Sequence, residues 1–388
     1  MKITIAMDSL KGSLTSLEAG RRAAEGIRRV YPDAEICIRP LADGGEGTAE
    51  ALTNGLGGRM RRVSVTGPLG EPAQCTYGIL PDSKTAVIEM AQAAGLTLIA
   101  EERRNPMHTT TYGVGEVILD AYRTGCRNFL IGIGGSATND GGAGMLQALG
   151  YGLLKENGEP VSPGAAGLSE LSRITESRLS RELSECTFRI ACDVTNPLCG
   201  ESGCSAVFGP QKGADPEMIQ RMDQWLAEYA RIVRGIRPDA DPGRKGAGAA
   251  GGLGFAFQAF LHARLLSGAE VVMKETKLEE AIRDSDLFIT GEGRLDAQTV
   301  MGKAPVRAAQ LAKRYHKPVI AFAGGVTKEA MSCHEAGIDA FFPILREAVP
   351  LEEAMRPEIA GENLADVCEQ VFRVIRIFYK DWQNEKSF

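Results

Sequence analysis

The segment Gly132-Ile-Gly-Gly-Ser-Ala-Thr-Asn-Asp-Gly-Gly142 constrains this chain more than any other stretch. It follows a strand-like run over residues 128–131 and precedes a helix-like run over residues 143–149. Its five glycines permit a sharp turn and a close backbone approach. A strand entering a helix through such a turn is the repeating unit of a parallel α/β sheet. The helix start behind it offers unpaired N–H groups and a partial positive charge. Ser136, Thr138, Asn139 and Asp140 add hydroxyl, amide and carboxylate groups within one turn. That mixture suits phosphate and a metal ion better than apolar packing.

Strand and helix patterns alternate over much of the chain. Residues 2–6 read as a strand ending at Asp8, and Thr15 with Glu18 forms a capping-box pattern that opens a helix to about residue 30. Residues 34–39 form a second strand. The centre differs: residues 61–66, 73–80 and 85–90 read as neighbouring strands joined by turns. A helix over 113–123 follows, and Asp215-Pro216 starts a long helix towards residue 234. Residues 238–254 are glycine-rich and read as a loop or hinge. Towards the end, strands at 286–290, 318–323 and 338–344 surround a helix at 305–314. In the last helix Leu364, Val367, Cys368, Val371, Phe372, Ile375 and Phe378 keep i, i+3, i+4 spacing. The two ends share one style, so residues 1–60 and 284–388 are expected to form one parallel α/β domain. Residues 61–283 are then an inserted α/β domain with a mixed sheet.

A chain of 388 residues exceeds one ordinary core. A net charge of -6 argues against nucleic acid or an anionic membrane as partner. No apolar run reaches the ~20 residues of a membrane span, and the opening apolar stretch is too short for a signal-peptide core. Nine scattered cysteines without a C-x-x-C pair read as reduced cytosolic thiols, and four separated histidines lack zinc-site spacing.

Charged residues recur where strands end and glycines begin, which is where ligands bind in open α/β sheets. Asp8-Ser-Leu-Lys-Gly-Ser13 pairs a carboxylate with Lys11. Asp43-Gly-Gly-Glu-Gly47 sets two carboxylates among three glycines. Asp193-Val-Thr-Asn196, Lys212 and Gly291-Glu-Gly-Arg-Leu-Asp296 add further acids and cations. Together they supply the cations, N–H donors and carboxylates that phosphoryl transfer needs. The P-loop signature is missing, since Gly302-Lys303 is followed by Ala304. Residues 132–137 do match G-x-G-x-x-A, the case for an NAD-dependent dehydrogenase of a small hydroxy acid. Thr138-Asn-Asp140 counts against it, because a dinucleotide-binding helix packs closely there. A metabolite-binding regulator without catalysis is the third reading, and the many carboxylates at strand ends oppose it.

Taken in order, these segments resemble the bacterial glycerate kinase family of the two-domain, type-I kind, with Phe208-Gly-Pro-Gln-Lys-Gly213 and Gly248-Ala-Ala-Gly-Gly-Leu-Gly254 completing the set. The resemblance implies two α/β domains with a cleft between them, the terminal one a flavodoxin- or Rossmann-like parallel sheet. It implies ATP-dependent phosphorylation of D-glycerate with Mg²⁺ in the cytoplasm, giving mainly 2-phosphoglycerate, with 3-phosphoglycerate as the alternative, in growth on glucarate, galactarate or glyoxylate. A homo-oligomer is compatible with it. On this basis Asp8, Lys11, Asp43 and Asp193 are the catalytic candidates, with Asp193 or Asp43 as base. Ser9, Glu46, Asn196, Arg294 and Asp296 are substrate contacts. Gly134, Gly135, Ser136, Thr138, Asn139, Gly141, Lys212, Gly251 and Gly252 are expected to hold ATP, and Asp140 and Glu292 the metal.

Overall fold

A computed structural model describes residues 1–385 apart from Asp82 and Ser83; no side chain is described beyond residue 377, so the expected packing of Phe378 lies outside the described residues. In chain order the strands are β1 (Lys2–Met7), β2 (Glu35–Ile38), β3 (Arg59–Thr66), β4 (Pro72–Leu80), β5 (Thr85–Glu89), β6 (Asn128–Gly132), β7 (Gly152–Leu154), β8 (Arg173–Thr175), β9 (Thr187–Ala191), β10 (Arg264–Leu266), β11 (Leu287–Leu295), β12 (Val319–Val326) and β13 (Ala340–Pro343). The chain divides into two compact units, residues 1–43 with 269–388, and residues 44–268.

In the first unit five strands lie in the order β2-β1-β11-β12-β13, all parallel. The chain moves outward from β1 to β2, then returns to the far side of β1 with β11. Between β1 and β11 the winding reverses, and a crevice opens beyond the strand ends at such a switch point. Alternation along β1 sends Ile3, Ile5 and Met7 to one face and Ala6 to the other. The helices Ser16–Arg28 and Pro357–Glu385 cover the first face; Leu278–Arg283 and Ala304–Arg314 cover the second. The first helix starts where the capping box requires. Glu18 N donates to Thr15 Oγ1 at 3.3 Å, and Thr15 N donates to Glu18 Oε2 at 2.9 Å.

The second unit holds a six-stranded mixed sheet, β10-β9-β6-β5-β4-β3, and the small β7–β8 pair. Its β3, β4 and β5 pair antiparallel, as the turn-rich sequence between them implies, whereas β5, β6, β9 and β10 pair parallel. Phe129 and Phe188 stack at 4.7 Å in its core.

Three features differ from the sequence expectation. The units divide at residues 43/44 and 268/269 rather than 60/61 and 283/284. The helix Thr48–Gly55 packs on β4 and β5, and Leu278–Arg283 packs on Ala304–Arg314, so packing partners move both boundaries. The glycine-rich stretch 238–254 is not loop throughout. It runs into the helix Ala249–Leu261 through Ala250, Gly251 and Gly252, whose φ values are 52, 66 and 91°. The strand expected at 286–290 continues to Leu295, so Glu292 and Arg294 sit on the strand itself.

Candidate active site

The first unit gathers its acids at the β1/β11 switch point. Asp8 N donates to Gly291 O at 2.8 Å, which carries the end of β1 alongside β11. Gly291 is obligatory here, because an added Cβ would lie 2.0 Å from Phe322 O on β12. Asp8, Ser9, Lys11, Asp43, Glu292, Arg294 and Lys303 line one cavity of about 610 Å³, together with the Gly324-Gly325 end of β12. Lys11 is exposed, on the tight loop that Leu10 and Leu14 close.

Asp8 is 8% exposed. Burial, followed by repulsion from Asp43, pushes its carboxyl up to about 7, against the opposing Ser9 N–H donated at 2.7 Å. Such a group can hold or release a proton near neutral pH. Glu292 is also raised, burial outweighing the pull of Lys303, whose Nζ lies 3.3 Å from Oε2. Glu292 Oε1 has no hydrogen-bond partner; the Thr299 hydroxyl favours its ionised form without reaching hydrogen-bond geometry. Asp296 does not line the cavity. Its Oδ1 accepts from Gln298 N at 2.9 Å and lies 3.7 Å from Lys303 Nζ, so it caps a turn and helps hold that lysine. Arg294 is 69% exposed and only 3.9 Å from Asp296, which leaves its guanidinium available.

In the second unit several of the expected site residues are buried and bonded within the protein. Asp140 is fully buried, and its oxygens accept from Thr111 N, Thr111 Oγ1, Gly142 N and Gly144 N at 2.8–3.2 Å. These four bonds make it a brace for the loop. The helix behind it, Ala143–Ala148, is short, and its first N–H groups are taken by Asp140 and by Thr111, so the anticipated phosphate cradle is filled from within. Lys212 is also buried. It donates to Ser136 Oγ at 2.8 Å and Thr138 O at 2.6 Å, and burial pushes it down to about 8. Thr138 and Asn139 are fully buried, Asn139 donating to Ser205 Oγ. Gly251 O accepts from Gly141 N at 2.9 Å, and a Cβ on Gly251 or Gly252 would strike the 138–141 backbone at 2.1 or 2.8 Å. These contacts fold the loop from within.

What the loop does expose is Gly134 and Gly135. Gly44 packs against Ala191 and the backbone of Gly132, so the Glu46 loop meets the ends of β6 and β9. Glu46 and Asp193 are exposed there, with Gly268 N donating to Asp193 Oδ2 at 3.4 Å. Asn196 spends its amide on Ser202 O at 2.8 Å and stabilises its own turn.

Sequence reasoning missed Lys303, Glu89 and the apolar wall of the first cavity. Glu89 ends β5, and its buried Oε1 accepts from Ala49 N at 2.8 Å, which fixes the loop carrying Glu46. A buried acid at a strand end, next to an apolar run, was the available signal. Lys303 was visible only as the lysine of a P-loop signature that Ala304 breaks.

Among the described residues no three acids, histidines or cysteines stand close enough to hold a metal ion by themselves, and no helix is long and apolar enough to cross a membrane. Comparison with known proteins agrees across the whole chain. Residues 3–376 match the Glycerate kinase family. Glycerate 2-kinase of Escherichia coli K12 is 49% identical over 92% of this chain and 93% of its own length. Glycerate kinase of Halalkalibacterium halodurans is 47% identical over 94% and 97%. The crystal structure of a protein described as a candidate glycerate kinase 2 from Salmonella typhimurium LT2 superposes with a TM-score of 0.91 at 46% identity, covering 98% of this chain and 99% of that one. This chain belongs to the glycerate kinase family.

Proposed function

We propose that this protein transfers the γ-phosphoryl group of ATP to the C2 hydroxyl of D-glycerate in the cytoplasm, as part of glucarate or glyoxylate catabolism. The observation that carries the reading is the cavity that gathers buried Asp8 and Glu292 and half-buried Asp43 beside Lys11, Lys303 and Arg294 at the switch point of the parallel sheet. Relatives named glycerate kinase and glycerate 2-kinase support the substrate and the C2 position.

Within this cluster Asp8 is the favoured acceptor for the hydroxyl proton, because burial and the neighbouring Asp43 push its carboxyl up to about 7. A loose transition state asks little base strength, so orientation of the hydroxyl counts as much as proton removal. Lys11 and Arg294 suit the anionic ends of the reactants. Carboxylate oxygens are the donors a hard cation prefers, and Mg²⁺ bound with a nucleotide needs only one or two of them. Glu292, with its unpartnered Oε1, fits that role; the ion supplies charge neutralisation at the phosphates. On the second unit, Asp193, Glu46 and the Gly134-Gly135 N–H groups are the remaining candidates for glycerate contacts.

The test is purified protein with ATP, Mg²⁺ and D-glycerate, coupled to enolase without a mutase. Enolase accepts only the 2-phosphate, so phosphoenolpyruvate formation supports the reading. ADP release without phosphoenolpyruvate would move the product to the 3-phosphate, and no ADP release would end the proposal.

A further inference from the structure

The cavity of the first unit is larger and more apolar than a three-carbon acid requires. Its volume of about 610 Å³ falls in the class of sites, about 300–1,000 Å³, that enclose drug-sized ligands. One wall carries the charged groups just described. The other is built from Ile344, Leu345, Leu351, Ala354 and Met355. Leu345 and Leu351 are 44% and 73% exposed, so large aliphatic surface stands uncovered at the mouth. Gly325, one residue before the end of β12, also lines the cavity; a Cβ there would meet nothing within 4 Å, leaving that part of the floor open. Glycerate has a carboxylate and two hydroxyls and nothing to lay on such a wall. A purine ring does, and its attached phosphates match Lys11, Lys303 and Arg294.

We infer that this cavity binds the whole nucleoside triphosphate, with the base on Leu345, Leu351 and Met355 and the phosphates towards Lys11 and Lys303. The inference rests on the kinase reading above and deepens it. It moves the nucleotide away from the 134–142 loop, whose inner N–H groups and Lys212 are already bonded within the protein.

Two probes separate base from phosphate: ADP, and tripolyphosphate, which has no base. Calorimetric titration of the intact chain carrying Leu345→Asn and Leu351→Asn is expected to show ADP binding weakened by roughly tenfold and tripolyphosphate binding unchanged. Lys11→Ala is expected to weaken both. Leu351→Asn alone, at a side chain mostly in solvent, repeats the test with a smaller loss should the pair melt early. Unchanged ADP affinity in the leucine variants, or equal losses for the two probes, would overturn the assignment. Glycerate phosphorylation by the wild type, measured on the same preparation, keeps the two ideas apart. Protein that binds ADP as stated but ignores glycerate retains the nucleotide site and loses the kinase reading. Active protein whose ADP affinity disregards the leucines does the reverse.

Discussion

Asp8 is ordered by its own chain, its N–H on Gly291 and its Oδ1 receiving the Ser9 N–H, yet its charge is costly where it sits. The folded protein holds the Asp8 proton up to about pH 7, whereas an unfolded chain releases it near 3.8, the ordinary value for an aspartate. The associated stability is therefore complete below about pH 4 and is lost as pH rises through 7. In metal-free, nucleotide-free protein, Asp8→Asn should become progressively more stable than wild type from about pH 4 to 7. The difference, at most ~1.4 kcal/mol per pH unit, should level off above that. Urea titrations at several pH values read it, and a pH-independent difference would remove the burial argument. Asp140 makes the opposite case. Asp140→Asn replaces an acceptor oxygen by a donor opposite N–H and O–H groups, so it should cost roughly 2–4 kcal/mol of stability. If Asp140 were instead a metal ligand, the variant would melt normally and fail only in activity.

At the level of strands and helices, two glycines in adjacent strands make contrasting demands. Gly291→Ala drives a Cβ into Phe322 O and should separate β11 from β12, lowering the melting temperature by several degrees. Gly325→Leu meets open space in the backbone's ordinary conformation, so it should melt like wild type while its side chain fills the cavity and abolishes turnover. Equal melting losses in the two variants would mean the cavity floor is not open. These elements also mark what could be read in the sequence. Asp8, Asp43 and Glu292 each stand at the end of an apolar run, Asp43 and Glu292 directly beside glycine, a local signal that parallel sheets make functional. The burial of Asp140 and Lys212 was not local, since Lys212 reaches Ser136 across 76 positions of chain, and nothing near either residue announces the contact. The apolar wall was hidden for the same reason. Leu345 and Leu351 gain meaning only when residues 344–355 fold back over the ends of β11 and β12.

For the molecule as a whole, the sequence pattern of alike ends and unlike centre corresponds to two units, each with its own core. The outlying elements Thr48–Gly55 and Leu278–Arg283 were assigned across the boundary because their helical pattern does not reveal which sheet they cover. With ADP alone, hydrogen exchange should slow in residues 8–13 and 344–355, whereas residues 138–145, already bonded internally, should not change. Slowing confined to the 134–142 loop would return the nucleotide to the second unit.

The most direct test of the account is the enolase-coupled rate of wild type beside Asp8→Asn, with both melting curves recorded. A functional switch-point cluster predicts 2-phosphoglycerate from the wild type and a loss of at least roughly a hundredfold in the variant, with a melting temperature at or above that of wild type at pH 8. A variant that folds equally well and turns over within a few-fold of wild type would contradict it.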